Sequence, residues 1–157
     1  MGVVCLVGLV GCGPGTVEVD PPEPEGRAAA ACASLVDALP QQVADLDPRE
    51  VEPADALGAA WGDPAIVLTC DDQPPAGFDE LSSCTTVEDV DWYLPEEQVE
   101  VDDPGDVTMS TVNREAFVHV QLPAEHWPPA TAMVDLADAI SSTLEVSPTL
   151  EGAGPCL

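Results

Sequence analysis

The stretch VTMSTVNREAFVHVQL, Val107 to Leu122, decides how this chain folds. In its second half Ala116, Val118, Val120 and Leu122 alternate with Phe117, His119 and Gln121. A side-chain period of two sends one set to each face of a strand, so 116–122 reads as a half-buried strand. Val107–Val112 precedes it, and Asn113-Arg114-Glu115 joins the two into a hairpin. The rest of the chain then has to cover the apolar face of that hairpin.

Working outward, AIVLTC (65–70) is a short apolar run rich in β-branched residues and predicts a buried strand. A further strand is expected within Cys84–Leu94, ending at Val90-Asp91-Trp92-Tyr93. RAAAACASLVDAL (27–39) is alanine-rich and stops at Pro40, which predicts a helix with Ala28, Cys32, Leu35, Val36 and Leu39 on one face. Thr131–Leu144, following Pro128-Pro129, predicts a second amphipathic helix with Met133, Leu136, Ala137, Ile140 and Leu144 as its stripe. Gln41–Ala60, broken by Pro48 and Pro53, reads as a long surface connection. The expected class is α+β: a small antiparallel sheet of three to five strands, two helices packed on one face, and two disulfides.

The beginning of the chain speaks of location. Residues 2–11 carry no charge and end in Leu9-Val10-Gly11, followed by Cys12. That pattern resembles a bacterial lipobox, in which the chain is cut before a cysteine that takes up lipid. No Lys or Arg precedes the apolar run, as expected of a start lying further upstream. The expected organisation is a signal peptide over 1–11, a Pro/Gly/acidic stalk over 12–26, and a single α+β domain over 27–157. An acylated Cys12 holds the domain on the outer face of the cytoplasmic membrane without a spanning helix.

Composition narrows the partners. Thirty acids face three arginines and no lysine, a formal net charge of -27. Such a surface repels nucleic acid and anionic lipid headgroups, so neither is expected as a partner beyond the anchor itself. Cys32, Cys70, Cys84 and Cys156 remain after the leader, an even number that in an exported chain favours two disulfides over a zinc site. Cys32 on a helix face and Cys70 at a strand end make the most plausible pair.

Catalytic patterns are sparse. His119 is expected on the exposed face of its strand and His126 in a Pro-rich loop, both as ordinary surface histidines. Neither has a G-x-S-x-G context. Asp102-Asp103-Pro104-Gly105-Asp106 gathers oxygen ligands, but measured as an EF-hand loop it has Pro104 at position 3, Val107 at position 6 and Asn113 at position 12, which excludes that site. No cofactor or metal is expected. Trp61-Gly62-Asp63-Pro64 and Asp91-Trp92 are the candidate binding surface, a pair of indoles with carboxylates nearby; set against that, Trp61 can simply cap the core.

Several of these stretches together resemble an uncharacterised family of actinobacterial exported proteins, the domain of unknown function 3515 family. The resemblance rests on Ala31-Cys32-Ala33-Ser34-Leu35 running to Ala38-Leu39-Pro40, on Ala59-Ala60-Trp61-Gly62-Asp63-Pro64, and on Ile66-Val67-Leu68-Thr69-Cys70. It continues through Val90-Asp91-Trp92, Thr111-Val112-Asn113-Arg114 and Val134-Asp135-Leu136. It implies an envelope protein, often lipid-anchored, with a bond between Cys32 and Cys70. It supplies no catalytic residues. Cys84 and Cys156 depart from its pattern and by exclusion would form the second bond. The expected function is a non-catalytic, lipid-anchored envelope protein that binds a protein or a cell-wall glycan. A small-ligand-binding or sensor lipoprotein is the alternative, and a carboxylate-dependent hydrolase ranks last.

Overall fold

The structure, a computed structural model, describes residues 15–79, 82–99 and 105–147. In chain order the elements are β1 (Val17–Glu18), α1 (Gly26–Ala38), β2 (Pro48–Arg49), β3 (Val51–Glu52), β4 (Gly58–Trp61), β5 (Ile66–Asp71), β6 (Thr85–Val87), β7 (Val90–Tyr93), β8 (Val107–Val112), β9 (Phe117–Leu122) and α2 (Ala130–Thr143). Seven strands make one antiparallel sheet in the order β2-β4-β5-β9-β8-β7-β6, and β1 pairs with β3 as a separate parallel ribbon.

The period-two pattern sorts the central strands into two faces. Ile66, Leu68 and Cys70 of β5, Val118, Val120 and Leu122 of β9, and Val107 and Met109 of β8 are all essentially inaccessible and belong to one apolar cluster. Both helices cover this side: α1 packs on α2 and β5, and α2 on β6 and β7. Each helix presents a narrow stripe of small and aliphatic residues to the sheet. In α1 the stripe is Ala28, Ala31, Cys32 and Leu35; in α2 it is Ala132, Met133, Leu136, Ala137, Ala139 and Ile140. The disulfide Cys32–Cys70 stitches α1 to β5, its Cα atoms 5.5 Å apart and 38 residues apart in sequence. Closing a loop of that length removes unfolded-state entropy worth about 4 kcal/mol.

Two glycines show how closely the backbone is packed around β4. Gly58 lies against the Leu68 carbonyl and the Val19 side chain, leaving no room for a Cβ. Gly62 takes a left-handed φ of +79° where the chain leaves β4, and a Cβ there would sit 2.7 Å from Leu46 Cδ1. Glu88 and Asp89 both take positive φ (47° and 63°) in the two-residue turn between β6 and β7, the geometry of a type I′ hairpin without its usual Asn-Gly.

The fold differs from the expected one. It is mostly sheet, with seven antiparallel strands plus a two-stranded parallel ribbon, rather than a small α+β sheet of three to five strands. The extra strands come from segments with no readable alternation. Pro48–Arg49 sits inside the supposed connection and pairs with Trp61 and Ala60; Gly58–Trp61 is all small residues until the tryptophan. Between pairs of described residues there is one disulfide, Cys32–Cys70, where two are expected; Cys84 is itself disulfide-bonded, and Cys156, the partner expected for it, lies outside the described residues. The expected stalk is partly docked: Val17 and Glu18 pair with Val51 and Glu52, and Val19 is buried.

Candidate functional site

The other face of the sheet carries no helix. Thr69 and Asp71 of β5, Phe117, His119 and Gln121 of β9, Thr108 and Ser110 of β8, and Tyr93 of β7 project to it, as alternation requires. Strand register then places chemistry together. Ser110 is directly opposite His119 in the β8–β9 pair, and β5 brings Asp71 beside Phe117, one diagonal step from His119.

The three side chains form a chain of contacts. Ser110 Oγ is 2.8 Å from His119 Nδ1, and His119 Nε2 is 3.4 Å from Asp71 Oδ1. Nε2 also faces the Gln73 carbonyl at 3.3 Å. Two acceptors at Nε2 require that this nitrogen carry the proton, which leaves Nδ1 to accept from the Ser110 hydroxyl. Asp71 is 3% and Ser110 2% exposed, while the His119 side chain keeps 18%. Phe117 stacks on the imidazole with ring centroids 6.4 Å apart and planes 20° from parallel. The imidazole therefore has one orientation available to it.

Local turns build the walls. Asp71 Oδ1 accepts the Gln73 N–H at 2.7 Å, a side-chain turn that swings the chain from the end of β5 across the polar face. Pro74, Pro75 and Ala76 follow and form one wall; Tyr93, Pro95, Glu97 and Gln98 form the other. Phe78 meets Tyr93 edge to face at 5.3 Å and holds its ring. Gln98 closes a short 3₁₀ turn, and its Oε1 accepts the Thr108 N–H at 2.8 Å, leaving its amide N–H groups as donors. Between these walls is a cavity of about 340 Å³ with Thr108, Ser110 and His119 on its floor.

At the end of β5 the carboxyl of Asp72 accepts from Gln73 Nε2 at 2.7 Å and from the Glu25 N–H at 3.2 Å. Those bonds, the Gln73 amide first, hold its pKa below the ordinary value. At the same end of the strands, beyond β9 and β8, Arg114 donates to the carbonyls of Leu144 and Asp89, at 2.8 and 2.7 Å, and clamps α2 to the β6–β7 turn. Burial draws its guanidinium below the ordinary value, against the pull of Asp91 and Asp89.

The sequence-expected site residues end up elsewhere. Trp61 and Trp92 are 1% and 0% exposed, on strands four steps apart in the sheet, about 19 Å at ordinary strand spacing. They are core residues and offer no indole face to solvent, and neither buried indole N–H meets an acceptor. Asp63 is exposed beside Pro64 in the β4–β5 turn. Asp91 turns away from Trp92 and bonds Thr86 and Asn113. These four residues therefore do not make one surface. His119, expected as an ordinary surface residue, is instead the centre of the polar face. His126 Nε2 lies 2.7 Å from the Pro64 carbonyl, pinning the loop before α2. Cys12, Cys156 and most of the Asp102–Asp106 turn lie outside the described residues, among which no three-ligand metal group occurs.

A second cavity, about 350 Å³ and mainly apolar, opens between β6–β7 and the start of α2, lined by Val87, Trp92, Leu94, Ala130 and Met133 among others. Ser83 and Thr85 are the hydroxyl residues of its lining, which holds no imidazole and no carboxylate.

The model of one protein family, described as a protein of unknown function (DUF3515), matches residues 3–149. The chain belongs to this family. No curated protein and no solved structure matches it. Within this DUF3515 chain, Ser110 and His119 flank the Thr111-Val112-Asn113-Arg114 stretch and its turn, while Asp71 directly follows the Ile66–Cys70 strand. Local sequence signals for the triad are weak: Ser110 sits in a run of small polar residues, and Asp71 reads as the first residue of a turn.

Proposed function

We propose that this protein is a lipid-anchored envelope protein that binds a protein or cell-wall component in the cavity on the helix-free face of its sheet. The observation that carries the reading is that cavity: a proline- and tyrosine-walled recess with a fixed imidazole, two hydroxyls and an amide on its surface. Apolar walls with a few convergent polar groups are what a specific ligand site needs. The Leu9-Val10-Gly11-Cys12 lipobox supports anchoring on the outer face of the membrane. A disulfide linking helix to sheet suits an oxidising compartment. The net charge of -27 argues for a partner that is neutral or cationic and against nucleic acid.

If Cys12 is acylated, docking of β1 leaves only residues 12–16 as tether, a reach of at most roughly 17 Å. The partner is then met close to the membrane surface. The test is to place a photo-crosslinking side chain at Tyr93 in the full-length protein in cells. A discrete peptide or glycan captured there, and lost with Pro74→Asp, supports the reading; capture unchanged by blocking the cavity overturns it. Cys12→Ala releasing the protein from the membrane fraction tests the anchor separately.

The second cavity favours one other reading, a carrier or sensor of a small apolar ligand. Its volume suits such a ligand, and the buried, unpartnered Trp92 indole N–H beside it could be met by a ligand oxygen. Quenching or shift of Trp92 fluorescence by an added fatty acid, absent in Trp92→Phe, would support it.

A further inference from the structure

The geometry points to Ser110 as an acyl-accepting nucleophile, activated by His119 and positioned through Asp71, so that the cavity transfers or hydrolyses an ester of the component it binds. This rests on the cavity being the binding site and adds a reaction to it. A serine hydroxyl is a weak nucleophile until a base within hydrogen-bond reach takes its proton and a third group fixes that base. Both geometric conditions are met. Ser110 Oγ is 2.8 Å from His119 Nδ1, Asp71 and the Gln73 carbonyl hold the proton on Nε2, and Phe117 stacks on the ring. The ring is used the opposite way round from the familiar serine hydrolases, where Nε2 faces the serine. The proton balance is the same in either orientation.

Ser110 is buried but forms part of the cavity surface, so an ester carbonyl seated there meets Oγ directly. The Oγ–carbon bond forms as the hydroxyl proton passes to Nδ1. The tetrahedral intermediate then expels an alcohol, which leaves with the proton from Nδ1, and Ser110 is left acylated. Water attacks the acyl-serine in turn, Nδ1 takes its proton and returns it to Oγ, and a carboxylic acid departs. Charge developing on the carbonyl oxygen requires donors on the cavity wall, because the backbone of a central strand is already paired. The Tyr93 hydroxyl and the Gln98 amide are the donors on the wall, the latter oriented by the Thr108 N–H.

The experiment uses diisopropyl fluorophosphate on the full-length protein, read by intact mass and peptide mapping. The Ser110 Oγ–phosphorus bond forms, fluoride leaves, and the hydroxyl proton goes to His119. A single adduct at Ser110 is expected, absent in Ser110→Ala and slowed at least about 100-fold in His119→Gln, the usual contribution of a general base. Unchanged thermal melts would show that both variants fold. For Asp71, a positioning residue, the readout is the imidazole ¹⁵N spectrum: the proton sits on Nε2 in the native protein and exchanges between both nitrogens in Asp71→Ala. No adduct, an adduct spread over several serines, or labelling indifferent to His119 overturns the inference. An unlabelled Ser110 with intact capture at Tyr93 removes the reaction and leaves the binding reading standing. A labelled Ser110 with no capture does the reverse.

Discussion

On the helix-covered face of the sheet Leu68, Cys70, Val118 and Val120 are wholly buried against α1 and α2. One residue along from Cys70, Val118 and the equally buried Met109 of β8, Asp71, His119 and Ser110 meet under a roof of two loops. The strands are shared, so the contrast comes only from the period-two alternation. The apolar face holds the molecule together by excluding water. On the polar face only Asp71 and Ser110 are buried, beneath loops, and they are satisfied through His119 and Gln73. Stability and chemistry are thus separated by one residue of register, and a slip of one would exchange them.

That separation can be broken from either side. The largest effect belongs to the covered face: Cys32→Ala with Cys70→Ala should lower stability by about 4 kcal/mol, measured by denaturant unfolding against the oxidised protein. Leu68→Ala should cost about 3 kcal/mol in the same assay by leaving a cavity under the helices. In neither should a folded sample lose the Ser110–His119 bond, visible as the His119 tautomer. On the polar face Ser110→Ala should cost only about 1–2 kcal/mol, the value of one buried bond and an unpaired Nδ1. A loss equal to that of Leu68→Ala would mean that the polar face is a second core.

Smaller effects sharpen the picture where the strands turn. Glu88→Asn with Asp89→Gly should raise stability by about 1 kcal/mol, since both positions take left-handed geometry and the Asp89 carbonyl that Arg114 holds is kept. Asp72 should show the smallest change. Its carboxyl is bonded in the folded state, so its pKa is depressed and its contribution is present above the ordinary 3.8 and lost as pH falls through the lower folded value. An NMR titration following the Glu25 amide should report that midpoint below 3.8.

The hairpin was legible because 107–122 states its own period: the strands Val107–Val112 and Phe117–Leu122 fall where the alternation puts them. Helices at Gly26–Ala38 and Ala130–Thr143 are within a residue of the stretches read from alanine content, stripe and prolines. The short edge strands were not legible, because two to four residues carry no period and Pro48–Arg49 and Gly58–Trp61 read as connection. Trp61 and Trp92 read as a possible surface because a tryptophan near a carboxylate looks the same in sequence whether its indole faces water or core. His119 reads as an ordinary surface histidine on the exposed face of its strand, because nothing nearby announces that loops approach that face or that Asp71 arrives beside it.

Local patterns therefore settled which residues are strand, which are helix and which side of each is apolar, since those preferences come from neighbours within one or two turns of chain. Strand order was settled elsewhere. Placing β5 against β9, which brings Asp71 to His119, depends on burying the two central strands together beneath helices drawn from both ends of the domain. Those contacts span 46 residues or more between Gln73 and His119 and have no local signature. Their free energy appears only when the whole sheet is assembled and its apolar face is closed.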